Sequence, residues 1–282
     1  MKTNILALVA TLALSAPALA QDGPHRIVAI GGSLTEIVYA LGQEDRLISR
    51  DTTSVFPPEA LALPDVGYMR ALSPEGVLSV DPDLILTLEG AGPPEAMEVI
   101  RSASVPVVTV PESFDRDGVL AKVEAVGEAL GVEEAAAELA TRIDADLRVA
   151  EDAASGVDDP ARVLFILSME GGRVMASGTG TAADGMIRLA GGENAITDYA
   201  GYKQLTDEAI VTAAPDVILL MDRGGNLDPA TVDLSAQPAL AATPAGEAGR
   251  VIRMDGAFLL GFGPRTAAAA KELAAALYAD AD

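Results

Sequence analysis

The chain has 282 residues, half of them hydrophobic, which is typical of a folded protein with one or two domains and a substantial core. Its 42 acidic residues outnumber 19 basic ones, and the formal net charge of −23 argues against a surface that binds nucleic acid or anionic membrane. With no cysteine and a single histidine, His25, the chain excludes disulfides, thiolate and multi-histidine metal sites, and most Ser-His-Asp chemistry.

Residues 1–20 have the pattern of a cleaved secretory signal. Lys2 precedes an apolar run over residues 5–14, and the segment closes on the small-residue pattern Ala18-Leu19-Ala20. The run is too short for a spanning helix, with an uncleaved anchor as the alternative. Because no cysteine follows the run, a lipid-tethered form is not expected. We therefore expect an exported periplasmic protein that is cleaved after Ala20 and is not embedded in a membrane.

The mature chain begins with signals of alternating strands and helices. Residues 26–30 form a short apolar run before Gly31-Gly32, which predicts a strand and a turn. Ser33, with Glu36 three residues later, predicts a helix that begins at a capping box. Further strands are predicted over 84–88 and 105–110. This alternation is typical of a parallel α/β sheet.

A gapless internal repeat is the most informative feature of the organisation. Residues 72–86 align with residues 205–219 at an offset of 133, and Leu, Glu, Pro, Asp, Ile and Leu recur in register. Just upstream, Gly67-Tyr68 corresponds to Gly201-Tyr202 with one residue of slippage. Chance similarity between two helix-to-strand units is the alternative. We interpret the repeat as a duplicated lobe, because another strand signal begins at Arg162, at a comparable distance from Arg26.

Between the two copies, residues 132–155 predict one long helix. Leu139, Ile143 and Leu147 are spaced four apart and form an apolar stripe. The predicted fold is therefore α/β, with two similar lobes that have central parallel sheets, one linking helix, and a ligand cleft between the lobes. The predicted segments are a signal peptide over 1–20, a first lobe over 21–131, the helix over 132–155 and a second lobe over 156–282.

Tyr68 is the first candidate binding residue. It lies in the loop Asp65-Val66-Gly67-Tyr68-Met69-Arg70, and loops that follow parallel strands face the site in open α/β sheets. An isolated tyrosine usually packs in the core. The second Gly-Tyr pair favours a functional interpretation, since the repeat would put Tyr68 and Tyr202 on facing cleft walls.

Several segments together resemble a known family, the periplasmic haem-binding proteins of bacterial ABC haem importers, which are related to siderophore and cobalamin binders. The resemblance covers nearly all of the mature chain. Its segments are the Arg-Ile-Val start, Gly31-Gly32-Ser33-Leu34-Thr35-Glu36, Val66-Gly67-Tyr68-Met69-Arg70, Val80-Asp81-Pro82-Asp83-Leu84-Ile85, Ala176-Ser177-Gly178-Thr179, Gly201-Tyr202-Lys203 and Leu259-Leu260-Gly261-Phe262-Gly263-Pro264-Arg265.

The resemblance implies that Tyr68 is the axial ligand of haem iron, a role that tyrosine is known to fill. Arg70 would support the phenolate or a propionate, or else is a solvated surface residue. The remaining implied pocket residues are apolar partners Met69, Phe258, Leu259 and Phe262, each of which could equally lie in the core, and the cations Arg173, Lys203 and Arg223. Because His25 lies at the mature N-terminus, a Tyr/His ligand pair is not expected, and Tyr202 is one candidate for the sixth iron position.

The resemblance also implies a permease that docks on one acidic residue of each lobe. Glu95 follows the turn Gly90-Ala91-Gly92-Pro93-Pro94 and is expected to open a helix. The repeat offset leads from Glu95 to Asp228. Local helix capping is the alternative interpretation of both acids.

We therefore expect a monomeric, non-enzymatic periplasmic receptor that carries haem as its transported ligand to an inner-membrane ABC permease and its ATPase. A ferric siderophore or cobalamin receptor on the same scaffold is the first alternative. A secreted carboxylate-dependent hydrolase is less favoured, because no pair of acids is singled out by its spacing.

Overall fold

The first lobe is built around a four-stranded parallel sheet. The computed structural model of the chain describes residues 23–222 and 237–279, apart from the side chain of Glu170. The sheet has the order β2-β1-β3-β4, and all its pairings are parallel. The elements are β1 (Ile27–Ile30), α1 (Gly32–Ala40), β2 (Leu47–Arg50), α2 (Pro74–Leu78), β3 (Leu84–Leu88), α3 (Pro94–Ser102), β4 (Val107–Val110) and α4 (Arg116–Leu130).

The second lobe contains a mixed sheet, with the order β10-β9-β5-β6-β8 and with β7 paired to β5. Strands β7, β5, β9 and β10 are parallel and repeat the order of the first sheet, whereas β6 pairs antiparallel with both β5 and β8. The elements are β5 (Arg162–Glu170), β6 (Arg173–Ser177), α6 (Ala182–Leu189), β7 (Glu193–Asn194), β8 (Tyr202–Gln204), α7 (Asp207–Ala213), β9 (Val217–Asp222), α8 (Pro238–Ala241), α9 (Pro244–Glu247), β10 (Val251–Asp255), α10 (Gly256–Leu260) and α11 (Thr266–Leu277). The second sheet therefore has the expected parallel centre, and β6 and β8 extend it beyond β5 through antiparallel pairings. Gly171 and Gly172, both with positive φ, turn β5 back into a hairpin there.

The internal repeat corresponds to a structural repeat at atomic detail. The Arg26 amide donates to the Asp83 carboxylate at 2.9 Å, and the Arg162 amide donates to the Asp216 carboxylate at the same distance. In each lobe this contact joins the first strand to the Pro-Asp start of the strand beside it. The prediction of two similar lobes is confirmed.

Two further pairs of positions obey the same offset. Asp81 and Ala214 both adopt positive φ, of 53° and 41°. Ser73 and Thr206 both cap a helix through the side-chain oxygen, which accepts an amide three residues later.

Helix α5 (Glu133–Ser155) connects the lobes. It buries Leu139, Ile143 and Leu147, so the predicted apolar stripe is confirmed. It packs closely on α4, where a Cβ at Gly127 would lie 2.2 Å from the Cβ of Ala136. The apolar residues of α5, both faces of the first sheet and one face of the second belong to one continuous core. The four segment boundaries remain predictions.

The predicted capping box at α1 is wrong. The helix begins at Gly32, and the capping residue is Gly31, whose φ is 123° and whose amide donates to Asp51 Oδ1 at 3.0 Å. Ser33 and Glu36 are buried and contact residues outside their own helix. These contacts place both side chains in the junction between the lobes.

Candidate functional site

The carboxyl ends of the parallel strands meet at the junction of the two lobes. Arg265, which precedes α11, binds Glu36 of α1 with two parallel hydrogen bonds, of 2.9 Å and 2.6 Å. Glu36 is buried, and the Arg265 side chain is largely buried. Bidentate arginine–carboxylate pairs are directional as well as strong. This pair therefore ties the first helix of one lobe to the last helix of the other.

Tyr68 lies on a loop that is hydrogen-bonded to the segment after β2. The Val66 amide donates to the Arg50 carbonyl at 2.9 Å, and the Thr52 amide donates to the Gly67 carbonyl at 3.0 Å. Gly67 has φ 105°, a conformation that favours glycine. The Tyr68 side chain is 47% exposed, and its phenol has no hydrogen-bond partner in the part of the chain that the structure describes. A well-anchored loop thus presents an exposed, unpaired phenol.

The neighbours of Tyr68 divide between core and solvent. Met69 is buried and packs in the main core. Arg70 is exposed and makes no ion pair with any residue that the structure describes. Its positive charge nevertheless lowers the pKa of Glu112, although burial and Lys122 have larger effects on that pKa. Arg70 is therefore available to an anionic group near Tyr68.

The second-lobe candidates have different environments. Tyr202 is half-buried in β8, with its ring centroid 6.4 Å from that of Phe165. Lys203 is exposed, with its Nζ 5.0 Å from the centre of the Tyr199 ring. Arg173 is exposed at the start of β6. Arg223 and Asp228 lie outside the described residues.

Leu259 and Phe262, like Met69, lie in the main core. Leu259 and Phe262 are both almost completely buried. The Phe262 ring packs edge-on against Phe114, with centroids 5.3 Å apart. Phe258 differs, since it is half-buried and lies 5.0 Å from the Arg265 guanidinium. The contact of Leu259 and Phe262 with a ligand stays a prediction.

A buried lysine at the junction was not predicted from the sequence. Lys122 of α4 bonds Glu112 and donates to Ser33 Oγ at 3.3 Å and to the Phe262 carbonyl at 3.0 Å. Burial lowers the pKa of Lys122, and the nearby Glu112 carboxylate partly offsets this effect. Burial likewise raises the pKa of Glu112, with Lys122 opposing the change.

A sequence signal for Lys122 was present. It replaces an apolar residue in the stripe that Val119, Val123 and Val126 form on α4. Phe56 was missed as well. Its ring lies 3.7 Å from the Arg265 guanidinium, although nothing in its local sequence marks it.

Two negative findings apply to the described residues. Their helices include none whose length and hydropathy would suit a membrane span. They also contain no group of three or more His, Cys, Asp or Glu side chains arranged to hold a metal ion.

Comparison with known proteins gives the family. Residues 27–257 match the family model described as periplasmic binding protein. The chain belongs to this family. Over 202 residues it is 32% identical to an uncharacterised ABC transporter substrate-binding lipoprotein, YvrC, of Bacillus subtilis. The aligned region covers 71% of this chain and 64% of that relative. Over 258 residues it is 26% identical to the vitamin B12-binding protein of Pectobacterium carotovorum strain PC1, with 91% and 89% coverage.

Solved structures of family members share the fold of this substrate-binding protein. The periplasmic haem-binding protein BhuT, in complex with two haems, is 44% identical with a TM-score of 0.83, covering 89% of this chain and 97% of that one. The periplasmic haem-binding protein RhuT from Roseiflexus sp. RS-1, in apo form, is 37% identical with a TM-score of 0.84, covering 92% and 100%. The α/β fold with two lobes is therefore confirmed.

Proposed function

We propose that this protein binds haem in the cleft between its lobes and delivers it to an inner-membrane ABC permease. The observation that carries the proposal is the exposed, unpaired Tyr68 on a hydrogen-bonded glycine loop of the first lobe. The similarity to BhuT and RhuT supports haem as the ligand. Haem is cargo in this proposal, and the protein is a carrier rather than an enzyme.

Tyr68 is proposed as the axial ligand of the haem iron. A free phenol has a pKa of about 10, but ferric iron stabilises the phenolate and displaces the proton. A phenol already engaged in the fold would have to break a hydrogen bond before binding iron. The Tyr68 phenol is free of such contacts among the described residues, so it can bind iron without that cost.

The haem propionates need cationic partners, because the chain has a net charge of −23 and repels anions at long range. Arg70 is the nearest candidate in sequence to Tyr68 and is exposed. Arg173 and Lys203 are exposed candidates of the second lobe, and Arg223 is a further one outside the described residues. Tyr202 remains a candidate for the sixth iron position.

A corrinoid is the second candidate ligand. It is favoured by the similarity to a vitamin B12-binding protein over 91% of the chain. A ferric siderophore is the third candidate on the same scaffold. Haem is preferred to both because the haem-binding structures are more similar in sequence than the B12-binding relative.

The proposed partners are the permease and its ATPase, and the proposed compartment is the periplasm, reached through a signal peptide cleaved after Ala20. The similarity to a substrate-binding lipoprotein of an ABC transporter supports a permease partner. Glu95 lies exposed in the first turn of α3 and is proposed as the first-lobe docking residue. Asp228, its proposed counterpart, lies outside the described residues.

The proposed iron ligand is tested by titrating the purified mature chain with haemin and recording the Soret band. Tyr68→Phe removes only the phenol oxygen, so we expect a changed spectrum and at least a tenfold loss of affinity. Tyr39→Phe is the matched control, because Tyr39 lies on α1 and loses the same atom. An unchanged spectrum and affinity in Tyr68→Phe would overturn the assignment.

A further inference from the structure

Large exposed apolar side chains are concentrated in one stretch of sequence that ends at Tyr68. Among the described residues seven such side chains are exposed, and four of them lie between positions 55 and 68: Val55, Phe56, Leu61 and Tyr68. The other three are single valines on α3, α5 and α7. Scattered apolar residues are normal on a surface, whereas a cluster marks a place where something binds.

The segment before Phe56 is held by a buried carboxylate. Asp51 accepts the amides of Gly31 and Thr53, both at 3.0 Å, and the hydroxyl of Ser54 at 2.8 Å. The Gly32 amide also donates to the Thr53 hydroxyl at 3.0 Å. These bonds tie the segment to the start of α1. The next loop, which carries Tyr68, is tied to the same segment through the bond from Thr52 to Gly67.

Phe56 reaches the second lobe. The Arg265 guanidinium lies 3.7 Å from the centre of its ring, and Glu36 holds that guanidinium with two hydrogen bonds. A cation over an aromatic face is attractive and sets the orientation of the ring. Phe56 still keeps 38% of its surface exposed. The ring is thus held against a fixed cation while a large part of its surface is open.

We propose that Phe56 is a ligand-contacting residue, an aromatic platform beside Tyr68 that packs on the flat face of a porphyrin. This inference rests on the proposed haem-binding function and adds a residue to it that acts on the macrocycle rather than on the iron. Tyr68 would hold the metal, and Phe56 would supply apolar area and ring stacking. Offset or edge-on aromatic contacts favour this arrangement beyond the burial of area.

The chemistry of the platform distinguishes ligand classes. A porphyrin is planar and aromatic across its whole face, so it matches an exposed phenyl ring. A corrin ring is puckered and carries amide side chains around its rim, and a hydroxamate siderophore has no extended aromatic face. A patch of Val55, Phe56 and Leu61 offers no hydrogen bonds to those amides.

Two ligands separate the platform from the iron site. The mature chain and its variants are titrated with haemin by absorbance and with metal-free protoporphyrin IX by fluorescence. Phe56→Ala is expected to weaken both ligands by about tenfold, the size that one aromatic contact supplies. Tyr68→Phe is expected to weaken haemin and leave protoporphyrin IX unchanged. Val149→Ala, which trims an exposed valine on α5, is the control for loss of surface apolar area and should change neither.

The titrations distinguish failure of the Phe56 proposal from failure of the proposed haem-binding function. If the wild-type chain binds no haemin, the proposed function fails. If wild-type binds haemin and Phe56→Ala binds both ligands as tightly as wild-type does, the proposed role of Phe56 is overturned. It is also overturned if Phe56→Ala weakens the binding of haemin but not of protoporphyrin IX. Should Phe56→Ala unfold, as judged by its melting temperature, Phe56→Leu replaces it. We expect a smaller loss for that variant, of about threefold, since it keeps apolar area without the ring, and no loss for either ligand would overturn the platform.

Discussion

Lys122 occupies a position where its helix otherwise carries apolar side chains. Its ammonium group is fully buried, and its partners are Glu112 and Ser33 of its own lobe and the Phe262 carbonyl, 140 residues away. Lys122 could have been noticed as a charged residue in an apolar stripe, but its partners, like the role of Phe56, depend on contacts with the distant second lobe. Tyr68 could be predicted as a candidate, because its glycine neighbour and the second Gly-Tyr pair at 201–202 are both visible in the sequence.

Removing one member of the Lys122–Glu112 pair should reduce the free energy of unfolding more than removing both charges. Lys122→Met leaves Glu112 buried without its cation, and we expect a loss of about 3 kcal/mol in the free energy of unfolding. The double variant Lys122→Met/Glu112→Gln removes both charges, and we expect it to recover most of that loss. Urea unfolding measures both values. A double variant as unstable as the single one would contradict this account.

The pH dependence of the pair has a definite sign. Because the pKa of Glu112 is raised above 4.5 in the folded protein, its contribution is fully present below pH 4.5 and is lost as the pH rises. Because the pKa of Lys122 is lowered from 10.5, its contribution is present above pH 10.5 and is lost as the pH falls. Just above pH 4.5 the Glu112 contribution should therefore make the stability of wild-type relative to the double variant decrease as the pH rises. Unfolding curves at several pH values test this, and a relative stability that rises in that range would refute the assignment.

At the scale of elements, most of the α/β order follows from the sequence. The repeat located the helix-to-strand units correctly, because the Pro-Asp motif marks the same local contact with Arg26 and with Arg162 in the two lobes. The antiparallel strands β6 and β8 escaped prediction, since pairing direction depends on which strand lies next in space. The capping box at Ser33 failed because that side chain serves a tertiary contact with Lys122.

The Tyr68 loop depends on the backbone of Gly67. A Cβ there would meet no atom within 4 Å, yet φ is 105°, so Gly67→Ala is strained by conformation alone. We expect Gly67→Ala to cost about 1–3 kcal/mol of stability and to weaken haemin binding by displacing Tyr68. Gly42→Ala is the matched control, with a positive φ of 67° and equally open space beyond α1. It should lose stability but retain haemin affinity, and equal affinity in both variants would argue against the loop's role.

At the scale of the whole molecule, the lobes are joined in two ways. Helix α5 connects them covalently, and the pairs Arg265–Glu36 and Lys122–Phe262 cross the junction directly. The sequence predicted two lobes and a cleft, and the motifs over residues 31–36 and 261–265 lie far apart in it. The structure brings them together, so two distant motifs form one junction.

Docking to the permease is predicted to involve Glu95. Glu95→Lys reverses a charge in the first turn of α3, where helix dipole effects are worth about 0.3–1 kcal/mol, so the fold should survive. We expect slower haem delivery in a reconstituted importer with unchanged haemin affinity. Glu98→Lys makes the same charge change on the same helix, away from its first turn, and should transport normally. Normal transport by Glu95→Lys would refute the docking role.

Haem is proposed as the ligand. The most direct measurement titrates the purified mature chain, in parallel, with haemin and with cyanocobalamin, following the absorbance of each. We expect a saturable shift of the Soret band with haemin and no saturable binding of cyanocobalamin. Saturable binding of cyanocobalamin without a Soret change for haemin would contradict it.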